Sequence, residues 1–135
     1  NSSLKNDRFI CLFIPLFYHF FVNFSTASSS CGVALKLVLL PCCYSGREGG
    51  FVDFFRSKGV DVVIGFADTV EQNTIVFWTQ EFIKYITMGY TVRESLALAD
   101  KSTEDEYDET RYFSQISFIK NRNTYGSDLD TRFFD

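Results

Sequence analysis

The sequence predicts an α/β domain built around a mainly parallel sheet. Three observations carry that expectation. The apolar runs 33–40 and 60–66 lack polar alternation, as strands buried on both faces do. Between them lie a turn-rich stretch and an aromatic segment at helical spacing, so strand, helix and strand follow in quick succession. A longer amphipathic repeat comes next, with apolar residues three or four apart from Ile75 to Ile86.

A chain of 135 residues is the size of one ordinary domain. The chain divides into residues 1–32, read as apolar strands or a signal-like segment, and an organised part, 33–135, read as a partial domain. Hydrophobic residues make up 46% and charged residues 22%, which separates the chain from disordered sequences. The 17 acidic against 13 basic side chains give a net charge of -4, a poor match to nucleic-acid phosphates, so no nucleic-acid partner is expected. The four cysteines, 11, 31, 42 and 43, lack the two-residue gap of zinc or thioredoxin-like pairs, and neither metal nor cofactor is expected. A disulfide between adjacent Cys42 and Cys43 would be strained, so free thiols in the cytoplasm are the plainer expectation. The chain begins at Asn1 without Met and is expected to be a fragment of something longer.

The run 9–22 is almost wholly apolar, yet it is shorter than the roughly 20 residues of a bilayer-spanning helix and contains Pro15 and His19. A membrane span is therefore not expected. One or two buried strands of a parallel sheet suit it better. The alternative is a secretory signal peptide over 9–30, with Lys5 and Arg8 ahead and small residues behind, which would make the protein secreted.

In the organised part, the strand 33–40 stops at Pro41. After the turn 44–50, the helix 51–58 places Phe51, Phe54 and Phe55 on one face and closes at Lys58 and Gly59. The second strand, 60–66, completes a right-handed βαβ crossover. Past a polar linker, Ile75, Trp78, Phe82, Ile83 and Ile86 define an amphipathic helix ending at Gly89. Thr91-Val92-Arg93-Glu94 has the form of a capping box, opening a short helix to Asp100. The acidic stretch 104–109 is expected to be an extended, solvated loop, its spacing unlike that of a calcium-binding EF-hand. The run 111–120 alternates as a final strand, with Tyr112, Ser114, Ile116 and Phe118 on one face. The tail to Asp135 carries no assignment.

In open parallel sheets, sites gather at the carboxyl ends of the strands. The first strand ends at Pro41-Cys42-Cys43-Tyr44-Ser45-Gly46, placing a thiol in a turn before a helix, where backbone amides favour thiolate and developing oxyanion. Cys43 is the better candidate of the two cysteines; the bland alternative is an inert buried thiol. The second strand leads into Ala67, Asp68 and Thr69.

The segment LKLVLLPCCYSG resembles the strand and loop of caspase-like (clan CD) cysteine peptidases and their metacaspase and CHAT-domain relatives, with Cys43 on the nucleophile. The resemblance continues through 59–66 and through FWTQEFIKYITMGYTVRESLALAD, so that residues 33–100 are covered. It implies the C-terminal part of a caspase-like domain, a three-layer α/β/α sandwich with a mainly parallel sheet present here in incomplete form, and a cysteine endopeptidase that hydrolyses polypeptide substrates without a cofactor. The pattern requires a His followed by Gly at the end of an upstream strand, roughly fifty residues before the nucleophile in caspases. The single His in this sequence is His19, followed by Phe20. Residues 20–32 meet the minimum of about a dozen that a parallel crossover needs, and the implied dyad is Cys43 with His19; the alternative for His19 is a residue of the core or of a signal segment, set among aromatic neighbours. Ala67, Asp68 and Thr69 fall where this fold lines its substrate pocket. Asp68 would by charge select a basic side chain, or alternatively cap a helix. The departure at Phe20 favours the alternative of a catalytically inactive caspase-fold module that scaffolds or binds other proteins.

Overall fold

The computed structural model describes residues 8–11, 35–108, 110–126 and 129–134, and within them the chain is a mixed α/β protein. Strands β2 (Leu35–Leu39) and β3 (Val62–Phe66) come from the two apolar runs and pair in parallel, Val38 opposite Val63 and Leu39 opposite Ile64. Helix α1 (Phe51–Ser57) joins them. Strand β1 (Arg8–Cys11) pairs in parallel with the other edge of β2, and β4 (Arg122–Gly126) runs antiparallel to β3. The order in the sheet is β1-β2-β3-β4. β1 begins the apolar N-terminal run; the rest of that run, His19 included, lies outside the described residues.

The period-two alternation of a strand sends neighbouring side chains to opposite faces. Leu37, Leu39, Val62, Ile64 and Phe66 pack with Trp78, Phe82 and Ile86 of α2 (Gln72–Thr87) and with Leu96 and Ala99 of α3 (Val92–Glu106). Val38, Leu40 and Val63 pack instead with Val52 and Phe55 of α1. The face of α1 therefore differs from the predicted aromatic one: Val52 and Phe55 are buried, whereas Phe51 is exposed. Burial against the sheet selected the two positions three apart that reach it, and Phe54 lies edge-on to Phe55 at 5.3 Å.

Helix α2 buries Ile75, Trp78, Phe82 and Ile86, with Ile83 partly covered, and ends at Gly89, whose φ of +97° suits a residue without a Cβ. The capping box at the start of α3 is formed: Thr91 Oγ1 accepts the Glu94 N–H at 3.1 Å, and Glu94 Oε2 accepts the Thr91 N–H at 3.3 Å. Thr91→Ala is expected to cost about 1 kcal/mol, read as a lower urea midpoint, and an unchanged midpoint would remove the cap from the account.

Three expectations are corrected. Helix α3 does not stop near Asp100 but runs through Glu106, so the first half of the acidic stretch is helical and exposed. Repulsion between solvated carboxylates on a helix is worth only a few tenths of a kcal/mol, and the buried Thr103, the Lys101–Asp105 ion pair and the edge contact of Tyr107 with Phe77 outweigh it. The run 111–120 is not a strand but a helical turn, α4 (Phe113–Ile116), followed by a 3-10 turn (Ser117–Ile119). It buries Ile116 and Phe118, and Phe118 meets Phe66 edge-on at 5.6 Å. The place beside β3 belongs to β4, from the unassigned tail, held at its start by an Arg122–Asp100 ion pair while Trp78 Nε1 donates to the same carboxylate at 2.8 Å. No helix among the described residues is long and apolar enough to cross a membrane.

Candidate functional site

The parallel ladder continues one residue past β2, where the Leu40 N–H donates to Ile64 O, and Pro41 then turns the chain off the sheet. Cys42 is half-buried and Cys43 exposed, which sets aside the reading of Cys43 as an inert core thiol. The N–H of Val70 donates to Cys43 Sγ at 3.3 Å, and the thiol faces Val70 O at 3.7 Å. The sequence places a supporting amide at the helix that follows the turn, but α1 begins only at Phe51. The N–H that reaches the sulfur comes from the loop after β3, because parallel strands end side by side and their loops meet.

Tyr44, next to the thiol, has φ of +60°, a conformation in which a non-glycine side chain costs on the order of 1–3 kcal/mol. The surrounding bonds hold it there. The Tyr44 N–H donates to Asp68 O at 3.1 Å, and the buried Ser45 hydroxyl lies 2.7 Å from Leu40 O and 2.8 Å from Cys42 O while accepting the Phe66 N–H. The Gly46 N–H donates to Phe66 O at 3.0 Å, and the backbones of Gly46 and Gly65 lie so close that neither position has room for a Cβ. Two side chains of β4 complete the clamp: Asn123 Nδ2 and Tyr125 OH donate to Gly46 O at 3.0 and 2.7 Å.

The loop after β3 is bonded to this turn. Arg47 stacks its guanidinium 4.2 Å from the centre of the Tyr44 ring and donates through Nε to Ala67 O at 2.7 Å. Asp68 is exposed, and its Oδ1 accepts the Thr69 N–H. It does not cap α2; Glu71 does, accepting the Thr74 N–H at 3.0 Å. Cys43, Ala67, Asp68 and Thr69 are thus brought to one rim, whereas His19 lies outside the described residues. A cavity of about 110 Å³ between the end of α3 and α4, with Glu104, Phe113 and Lys120 in its wall, has no lining residue from this rim. Among the described residues no three His, Cys, Asp or Glu side chains converge as a metal site.

Val70, Asn123 and Tyr125 escaped the sequence reading, and Ser45 and Gly46 entered it as members of the loop without a role of their own. Gly65, which follows the β-branched run Val62-Val63-Ile64 inside the strand, is itself a sign of close backbone approach. Nothing local marks the residues of β4.

Burial pushes the Cys42 thiol above its ordinary value, with the neighbouring Cys43 adding to the rise and a hydrogen bond with Ser45 opposing it. The folded protein therefore holds the Cys42 proton more tightly than the unfolded chain does. The associated stability is intact below the ordinary thiol value of 9.0 and is lost as pH rises from there through the raised folded value. The urea midpoint is expected to fall between pH 8 and pH 10, and Cys42→Ala should lessen that fall; equal slopes would dismiss Cys42 as its source.

The geometry defines an α/β domain with an exposed thiol at the carboxyl ends of its parallel strands. No protein-family model matches the chain, and no curated protein or solved structure matches it significantly.

Proposed function

We propose that the chain is the C-terminal part of a caspase-like, three-layer α/β/α domain and that it works as a cysteine endopeptidase. The observation that carries this reading is the exposed Cys43 thiol at the end of β2, held in a strained turn with the Val70 N–H on its sulfur. The division of the core, with α1 on one face of β2 and β3 and α2 and α3 on the other, supports the layered architecture.

In this mechanism His19 takes the proton from Cys43, and the thiolate attacks the carbonyl carbon of a peptide bond. The imidazolium then gives its proton to the departing amine as the C–N bond breaks, leaving an acyl-enzyme. Water, deprotonated by the same imidazole, releases the acid and restores the thiol. Asp68, exposed beside the turn, attracts a Lys or Arg side chain of the substrate, with Ala67 and Thr69 beside it in the pocket wall. Reduced thiols suit the cytoplasm, where this enzyme would act.

The test is hydrolysis of chromogenic peptides ending in Arg, Lys or Asp by the wild type, Cys43→Ala and His19→Ala. Hydrolysis of the Arg and Lys peptides is expected for the wild type and its loss for both variants. Wild-type rates no higher than those of Cys43→Ala would sink the peptidase reading. The second reading, an inactive caspase-fold module that binds other proteins, would then stand, since Phe20 after His19 already favours it.

A further inference from the structure

We infer that β4 is a strap that sets the reactive turn, with Asn123 and Tyr125 acting as positioning residues for Cys43. This inference rests on Cys43 being the nucleophile and adds to that reading the element that fixes the sulfur in place.

Asn123 and Tyr125 are two apart on β4, so their side chains leave the same face of the strand. Both donate to a single acceptor, Gly46 O, across 77 and 79 residues of sequence. A carbonyl oxygen has two lone pairs, and here both are occupied by one strand. The N–H of Gly46 is bonded to Phe66 O, so this residue is held through its amide by β3 and through its carbonyl by β4. Between it and the thiol stand only Ser45, whose hydroxyl is bonded in both directions, and Tyr44 at φ of +60°.

A left-handed non-glycine residue persists only where its surroundings over-determine it. Freeing Gly46 O lets Tyr44 relax toward an ordinary conformation, which swings Cys43 away from the Val70 N–H. The N–H that orients the sulfur, and that stabilises negative charge developing on it, is then lost. Tyr125 also packs its ring against the cluster under α1 and lies beneath the Arg56 guanidinium, at 5.5 Å. Tyr125→Phe keeps that ring and deletes only the hydroxyl, which makes it a clean probe.

The experiment measures alkylation of Cys43 by iodoacetamide in the folded full chain, with Cys42 of the same molecule as internal standard, the two adjacent sites being resolved by tandem mass spectrometry with fragmentation between them. Tyr125→Phe and Asn123→Ser are compared with the wild type, and melting temperature is recorded in parallel. The Cys43-to-Cys42 rate ratio is expected to fall about fivefold in each variant, the effect of one hydrogen bond, while the melting temperature stays near that of the wild type. Where peptides are hydrolysed, kcat should fall with KM held, which a loss of packing alone would not produce. A ratio equal to or above that of the wild type in both variants, or a parallel change at Cys42 and Cys43, overturns the strap. Absence of hydrolysis in every protein would overturn the peptidase reading instead, and the alkylation ratio would still decide this one.

Discussion

Gly65→Ala is expected to destabilise the protein by about 3 kcal/mol, the upper range for forcing extra volume into a packed interior. A Cβ at this position would lie 2.7 Å from the Cα and N of Gly46 and 2.9 Å from the carbonyl carbon of Ser45. All three are backbone atoms of the clamped turn, and none can rotate away as the end of a side chain can. The reciprocal change, Gly46→Ala, meets Phe66 N at 2.6 Å and Gly65 C at 2.7 Å and should cost as much. Gly59→Ala is the control. A Cβ there meets nothing within 4 Å, but φ is +85°, so only left-handed strain of about 1–2 kcal/mol is expected. Urea unfolding followed by circular dichroism separates the two causes. If Gly65→Ala cost no more than Gly59→Ala, the turn would be able to withdraw from β3, and the account of how Cys43 is held would have to be abandoned.

Asp100→Ala should bring a loss of similar size, about 3 kcal/mol, through electrostatics in place of steric contact. The Asp100 and Arg122 side chains keep only 18% and 17% of their exposure, and Asp100 also accepts from Trp78 Nε1. Removing the carboxylate strands a guanidinium and an indole N–H away from most of the solvent, and that penalty, more than the lost attraction, sets the magnitude. The physical reading is therefore checked by a double-mutant cycle. Asp100→Leu combined with Arg122→Met should be destabilised by about 1–3 kcal/mol less than the sum of the two single changes, and strict additivity would refute it. Arg122 is the first residue of β4 and pairs with Phe66 at the end of β3. Asp100→Ala is thus also expected to lower the reactivity of Cys43 relative to Cys42, because the strap loses its anchor beside the turn.

Much of the framework was legible because its causes are local. The runs at 33–40 and 60–66 became β2 and β3 within two residues at each end, the repeat from Ile75 to Ile86 became α2, and Thr91 with Glu94 formed the cap of α3. The failures have an equally definite cause. Alternation over 111–120 imitated a strand, but Ile116 and Phe118 were buried by neighbouring turns of helix, with Phe118 drawn into the aromatic group of Phe66 and Trp78. Charge repulsion over 104–106 was too weak to end a helix whose other side was packed.

By itself the sequence determined the periodicities, the caps and the location of a thiol at the end of a buried strand, since each depends on residues within a turn or two of one another. Only the tertiary structure decided that Val70 attends the sulfur, that Gly46 rests on Gly65, and that Asn123 and Tyr125 close on the same carbonyl. Those contacts join segments distant in the chain, and which segments meet is settled by the order of strands in the sheet and the burial it permits, quantities that no local pattern encodes.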